Sequence, residues 1–261
     1  MRAEYDPWAA YYDWIHQGLP GEAEFYILRA LRRGGHTLEL GCGTGRVCLP
    51  LAMSGGDVVG LDLSVGMLAE CQEKRRLAGP LTGRLHLVQG DMRRFSFARR
   101  FHTIMMPYRT FMHLLTVQDQ CECLTSVRDH LASGGEFILN LWAARPSVTT
   151  EQVRKTSTRF RLAGQYPVPS EGLLLRHFHR VRIDEAAQRL DEDHRIEEVN
   201  LMGSVQRRRL LHLDRVWVTP REMEHLLCRC GFEVSAVYGD FEERQITNDS
   251  TEMIWVAMRK N

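Results

Sequence analysis

Thr37-Leu38-Glu39-Leu40-Gly41-Cys42-Gly43-Thr44-Gly45-Arg46 decides the reading of this chain. A short apolar run meets three glycines spaced every second residue, and a segment compatible with a helix follows. Glycines there permit a tight turn and leave backbone N–H groups uncovered, so a nucleotide-bearing molecule can lie on the main chain. The spacing discriminates between ligands. A dinucleotide fingerprint reads G-x-G-x-x-G, and this chain has Arg46 where the last glycine would stand. A strand-to-helix turn without a ligand is the plainer alternative.

Two further acids follow. Asp57-Val58-Val59-Gly60-Leu61-Asp62 reads as the next buried strand, and Asp62 closes it 17 residues beyond Gly45. A carboxylate there can accept hydrogen bonds from both hydroxyls of a ribose. The next helix is capped more plausibly by Ser64, directly before Val65 to Cys71. Val88-Gln89-Gly90-Asp91-Met92 then ends a third strand pattern with an acid beside an apolar residue.

The run E-x-G-x-G-x-G with Asp62 and Asp91 resembles the class I S-adenosylmethionine (SAM) methyltransferases. The resemblance covers roughly residues 5–142 and 216–260. It implies that SAM, or S-adenosylhomocysteine as product, lies on Gly41, Gly43 and Gly45. Glu39, Arg46, Leu63 and Tyr12 join the implied cofactor site. Asp62 would hold the ribose, Asp91 would take the adenine amino group, and Met92 would pack on the ring. Tyr5-Asp6-Pro7-Trp8-Ala9-Ala10-Tyr11-Tyr12-Asp13 looks like the N-terminal lid of small-molecule members, whose tyrosines close over cofactor and substrate. Aromatic faces also suit a sulfonium cation, although such a stripe at helical spacing is more often core.

Composition is that of an ordinary globular chain, 44% hydrophobic and 26% charged over 261 residues, enough for one α/β domain with an insertion. A net charge of +1 supplies no global field for nucleic acid or an anionic membrane. No run approaches the ~18 apolar residues of a membrane helix. Met1-Arg2-Ala3-Glu4-Tyr5-Asp6 has no apolar signal core, so a cytoplasmic location is expected. The seven cysteines include two C-x-C pairs, Cys121/Cys123 and Cys228/Cys230. On a helix such pairs do not share a face, and they lack the usual zinc spacing. No H-x-x-x-H occurs, so no metal is expected.

Four stretches organise the chain. Residues 1–36 read as a helical lid broken at Pro20-Gly21. Residues 37–142 alternate strand patterns (37–41, 57–62, 84–90, 101–106, 135–142) with helix patterns (45–54, 65–78, 118–132), which argues a parallel doubly wound sheet. Gly134-Gly135 would stop the last of these helices. Residues 143–215 read as an antiparallel β insertion after the fifth strand, with strands at 173–183, 188–200 and 204–213. Its place in the chain suggests that it covers the acceptor or pairs with a second copy. Residues 216–261 complete the core. Thr219-Pro220-Arg221-Glu222 starts a helix that ends at Gly231, and 232–241 and 252–259 follow as strands. In the family these form the antiparallel hairpin of a seven-stranded, Rossmann-like sheet.

Catalytic groups are expected after the fourth strand, at Pro107-Tyr108-Arg109-Thr110-Phe111-Met112-His113. The polar-Pro-Pro-Tyr signature of amino-base methylases is incomplete here. The likeness is closer to bacterial glycine/sarcosine and aminosugar N-methyltransferases, which often have Asn where Arg109 stands. Arg109 either grips an anionic acceptor or pairs with an acid such as Asp91. Tyr108, Tyr11, His113 and His212 are candidate bases. A small polar acceptor methylated on nitrogen is expected, with oxygen as the alternative and no nucleic-acid partner. A SAM-binding module without turnover, and more remotely a Rossmann oxidoreductase, are the competing readings.

Overall fold

The computed structural model describes residues 4–143 and 159–260, so the first part of the expected insertion lies outside the described residues. These fall into two compact units. One takes residues 4–9, 18–143 and 218–260, and the other takes 10–17 and 159–217.

The first unit is built on a seven-stranded sheet in the order β10-β11-β5-β4-β1-β2-β3. Its strands are β1 (His36–Leu40), β2 (Asp57–Asp62), β3 (Arg84–Gln89), β4 (Phe101–Met106), β5 (Leu131–Trp142), β10 (Phe232–Tyr238) and β11 (Glu252–Arg259). β1 is central and pairs in parallel on both sides, with Leu38 opposite Val59 and Ile104. Leu38, Val58, Leu61, Ile104 and Ile138 are all buried, as expected for strands covered on both faces. β11 runs antiparallel to both β5 and β10, with Ile254 opposite Asn140. The expected α/β class, mostly parallel with a C-terminal antiparallel hairpin, is therefore observed.

Helix α1 (Ala9–Ile15) lies almost wholly in the second unit, while α2 (Glu22–Arg33), α3 (Cys48–Met53), α4 (Val65–Ala78), α5 (Val117–His130) and α6 (Pro220–Arg229) connect or flank these strands. Their starts follow local chemistry. Ser64 Oγ accepts from the amide of Met67 at 3.1 Å, and Thr116 Oγ1 from that of Asp119 at 3.0 Å. Thr219 and Glu222 form a reciprocal capping box with Pro220 at the first helical position. Pro50 falls within the first turn of α3, where its missing N–H costs no helical bond.

One boundary corrects the sequence reading. α5 ends at His130, and β5 starts at Leu131, ahead of the glycines. Leu131 already pairs with Phe101, and the register then shifts before Thr103 meets Glu136. Gly134 has φ +68°, and a Cβ at Gly135 would come within 3.1 Å of three carbonyl oxygens. The two glycines therefore carry an irregularity inside a strand.

The second unit is an antiparallel sheet in the order β6-β7-β8-β9. It comprises β6 (Arg161–Val168), β7 (Leu173–Asp184), β8 (Arg189–Asn200) and β9 (Val205–Val216). β6 has no counterpart in the sequence reading, because Gly164 and Pro167 weaken its strand signal. Both are tolerated because β6 is the edge strand. Alternation divides the two faces of β8. Leu190, Glu192, His194 and Ile196 are buried, while Asp191 and Asp193 on the other face pair with Arg182 and Arg180.

Thr219→Ala removes one half of the capping box. Urea unfolding is expected to show a loss of about 1 kcal/mol. An unchanged midpoint would mean that the cap contributes nothing to this helix.

Candidate active site

The turn after β1 is packed at its two ends and open in its middle. Gly41 and Gly45 have φ +69° and +87°. A Cβ at Gly41 would meet Thr110 Cγ2 at 2.4 Å, and one at Gly45 would meet Cys71 Sγ at 2.4 Å. At Gly43 a Cβ would meet nothing within 4 Å. The amides of Gly41 and Cys42 donate to the Leu61 carbonyl at 2.7 and 3.1 Å, which binds the turn to β2. Asp62, ending β2, accepts from the amides of Gly43 and Ser64, each at 2.8 Å. Burial pushes its carboxyl up, and those amides pull it back. Leu63 lies half-buried beside it.

Two buried acids organise the floor. Glu39 is 2% exposed, and burial raises its carboxyl to about 8, with Arg46 opposing and Glu22 adding to the rise. Glu22 is fully buried at the start of α2. It pairs with Arg46 and accepts from the amide of Tyr108 at 2.7 Å. The Arg46 guanidinium also lies 4.3 Å from the centroid of the Tyr108 ring.

Tyr108 and Arg109, after β4, are consecutive left-handed residues with φ +57° and +63°. A 3₁₀ turn over Thr110–His113 follows, fastened by Thr110 Oγ1 donating to the Pro107 carbonyl at 2.6 Å. Arg109 forks onto Glu252 of β11. Glu252 Oε2 also accepts from Asn140 Nδ2 at 2.9 Å, and Asn140 Oδ1 from the Tyr26 hydroxyl at 3.0 Å. The acid paired with Arg109 is thus Glu252 and not Asp91. Asp91 is held by Arg93, Nη2 to Oδ2 at 2.6 Å, and Arg93 also reaches Asp119 at 2.6 Å. Burial alone would raise the Asp91 carboxyl, but the Arg93 guanidinium holds it below the usual range. Met92 beside it is half-buried.

His113 Nε2 lies 2.9 Å from the Tyr5 hydroxyl, with the rings edge to face at 5.3 Å. Asp6 accepts from Ser64 Oγ at 2.6 Å and from the Gly66 amide at 3.0 Å, and Trp8 is fully buried. Residues 5–8 of the expected lid therefore belong to the first unit. Tyr11 and Tyr12 belong to the second. There Tyr11 donates to Glu198 at 2.6 Å, and the Tyr12 and His16 rings lie tilted with centroids 4.8 Å apart. His212 is also in the second unit, its Nδ1 3.0 Å from Asp193. Burial would lower its pKa, but Asp193, Asp214 and Asp191 hold it above the ordinary value.

Several residues of the site were not legible in the sequence. Glu22 reads there only as an acid in a helix's first turn, and Glu252 and Asn140 as polar letters in apolar strands. Arg93, two residues after Asp91, was the available signal for the Asp91 pairing. His177-Phe178-His179 and Glu192-Asp193-His194 carry ligand-type groups at strand period, which a search for helical H-x-x-x-H spacing passes over.

The residues present fit a nucleoside cofactor. A Cβ at Gly43 would meet only open space, which leaves the turn's backbone free for contact, and Asp62 presents an oriented carboxylate at the end of the adjoining strand. Comparison with known proteins agrees. Residues 37–135 match the family described as "Methyltransferase domain". The CcbJ methyltransferase of Streptomyces caelestis is 25% identical, covers 99% of this chain and 98% of its own, and superposes with a TM-score of 0.79. The glycopeptide N-methyltransferase MtfA, solved with SAM, is 25% identical over 92% of this chain and 93% of its own, with a TM-score of 0.55. These comparisons support a SAM-dependent methyltransferase, its domain spanning residues 37–135. The dTDP-3-amino-3,4,6-trideoxy-alpha-D-glucopyranose N,N-dimethyltransferase of Streptomyces venezuelae is 31% identical to this methyltransferase over 105 residues, 40% of this chain and 41% of that one. Among the described residues, no helix of the methyltransferase is long and apolar enough to cross a membrane.

Asp62→Ala is expected to weaken SAM binding at least tenfold, about 1.4 kcal/mol, by calorimetric titration. Parent-like affinity would remove Asp62 from the ribose. Glu39 gives a pH test. Its folded pKa, about 8, lies above the ordinary glutamate value of 4.5, so between these the native state keeps a proton that the unfolded chain has released. Stability from this group is therefore present below pH 4.5 and lost as pH rises to 8. Glu39→Gln is expected to flatten the fall in Tm across that window, and an unaltered slope would refute the buried, protonated carboxyl.

Proposed function

We propose that this methyltransferase methylates a nitrogen of a small polar acceptor, an amine borne on a sugar-sized molecule. The observation that carries the reading is the activity of its relatives. The Streptomyces venezuelae relative is an aminosugar N,N-dimethyltransferase, and MtfA is an N-methyltransferase. The site chemistry is compatible. Arg109 is already engaged by Glu252, so it makes no empty fork for an acceptor carboxylate. The acceptor is therefore read as an amine without a required anionic group.

SAM supplies, when bound, a methyl group already activated by the sulfonium. The protein's task is to hold the amine lone pair about 3–3.5 Å from the methyl carbon, in line with the departing sulfur. In this reading Gly41, Gly43, Gly45, Asp62 and Leu63 hold the cofactor's amino-acid and ribose portions. Asp91 and Met92 hold its adenine, with Arg93 fixing the carboxylate. Glu39 and Arg46 support the turn from below. The left-handed pair at Tyr108 and Arg109 shapes the acceptor edge, and His113, oriented by Tyr5, takes the proton that the methylated nitrogen sheds. The β insertion, following β5 directly in the chain, is assigned to acceptor selection or to pairing with a second copy.

Purified protein with methyl-labelled SAM and a panel of nucleotide-linked aminosugars, simple amines and matched hydroxy sugars tests this directly. Mono- and dimethylated amines are expected, with kcat/KM rising with pH as the amine deprotonates. Label found only on hydroxyl acceptors, or on RNA or protein, would sink the reading. His113→Gln is expected to lower kcat about a hundredfold with SAM affinity unchanged, the lower end of the range for general acid–base catalysis.

A further inference from the structure

We propose that the second unit holds a divalent first-row metal ion, zinc by the chemistry of its donors, on His179 Nε2, Glu192 Oε2 and His194 Nε2. The sheet register makes the cluster. His179 and His194 are directly paired across β7 and β8, and Glu192 is paired with Val181 one step along the same face. Cross-strand neighbours on one face stand about 4.5–5.5 Å apart at Cβ, close enough for imidazoles to share an ion.

The donor atoms are spaced for it. His179 Nε2 lies 3.0 Å and His194 Nε2 3.8 Å from Glu192 Oε2, and all three donors lie within 4.8 Å of one another. Bonds of about 2.0–2.1 Å in a tetrahedron place ligand atoms about 3.3 Å apart. Small ring rotations reach that geometry. Two imidazoles and one carboxylate form a borderline N/O donor set suited to zinc, and three protein ligands leave a position open.

Outer partners orient the donors. His194 Nδ1 lies 2.9 Å from His177 Nε2, with the rings stacked at 5.2 Å. Glu192 Oε1 accepts from Arg215 Nε at 2.6 Å, which turns Oε2 toward the imidazoles. Metal-binding histidines and carboxylates are typically fixed in this way.

On the opposite face Asp191, Asp193 and His212 also come together, but more exposed, and Arg182 and Arg180 already hold the two carboxylates. That cluster serves as an internal control.

The full-length protein, stripped with a chelator and dialysed, is loaded with Zn²⁺ or with Co²⁺ as a spectroscopic probe. Elemental analysis is expected to find one ion per chain after gel filtration. The cobalt form is expected to show the intense visible d–d bands of a low-coordinate site. His179→Ala and Glu192→Gln are expected to weaken binding at least tenfold, and His212→Ala to leave it unchanged, with far-UV circular dichroism and SAM affinity as fold controls. Failure of the parent to retain an ion overturns the proposal. So does retention that is indifferent to Glu192→Gln, or lost in His212→Ala. Glu192→Gln keeps the size and shape of the side chain, so the test stands even where His179→Ala folds poorly.

Discussion

The turn joining β1 to α3 can exist only in a left-handed backbone, and the rest of the first unit is arranged around that constraint. Gly41 and Gly45 lie against Thr110 and Cys71, so neither position has room for a side chain. The Leu61 carbonyl holds the amides of Gly41 and Cys42, and Asp62 holds that of Gly43. The end of β2 therefore fixes the shape of the loop after β1. Parallel pairing sets that relation, because it brings the carboxyl ends of neighbouring strands to one edge.

Around this edge, buried charge is used in pairs. Glu22 ties Arg46 and the Tyr108 amide to the start of α2. Glu252 ties Arg109 to Asn140 and through it to Tyr26. Each acid answers an arginine on a different element, so each bond joins segments far apart in sequence. Such pairs offset the cost of their own burial only when their remaining hydrogen bonds are met. Glu39, hydrogen-bonded at Cys48 and only opposed by the charge of Arg46, is left with a carboxyl that burial raises to about 8.

What could be read from the sequence was local. The motif at 37–46, the strand ending at Asp62, the Ser64 cap and the Thr219 capping box depend on residues within a turn of one another, and each stands where its letters indicate. The features that escaped are pairings across the chain. Glu252 is 143 residues from Arg109, and no spacing rule connects them. The stop read at Gly134-Gly135 failed for a related reason: the pairing of Leu131 with Phe101 captured the chain before the glycines were reached. β6 was missed because Gly164 and Pro167 are unfavourable in a central strand but acceptable at an edge, and edge position is a property of the assembled sheet. The histidine cluster shows the same limit, since its register is set by β7 and β8 together.

The two left-handed residues after β4 have an evolutionary consequence. Asparagine, aspartate and glycine adopt that backbone with less strain than most residues. Tyr108 and Arg109 hold it because the Glu22 and Glu252 carboxylates anchor the amide of one and the guanidinium of the other. An exchange at 109 to the asparagine common among the N-methyltransferases it resembles would leave the path of the main chain intact and release Glu252. Drift between acceptors could then proceed by trading side chains on a fixed socket, with each trade paired to a change on β11.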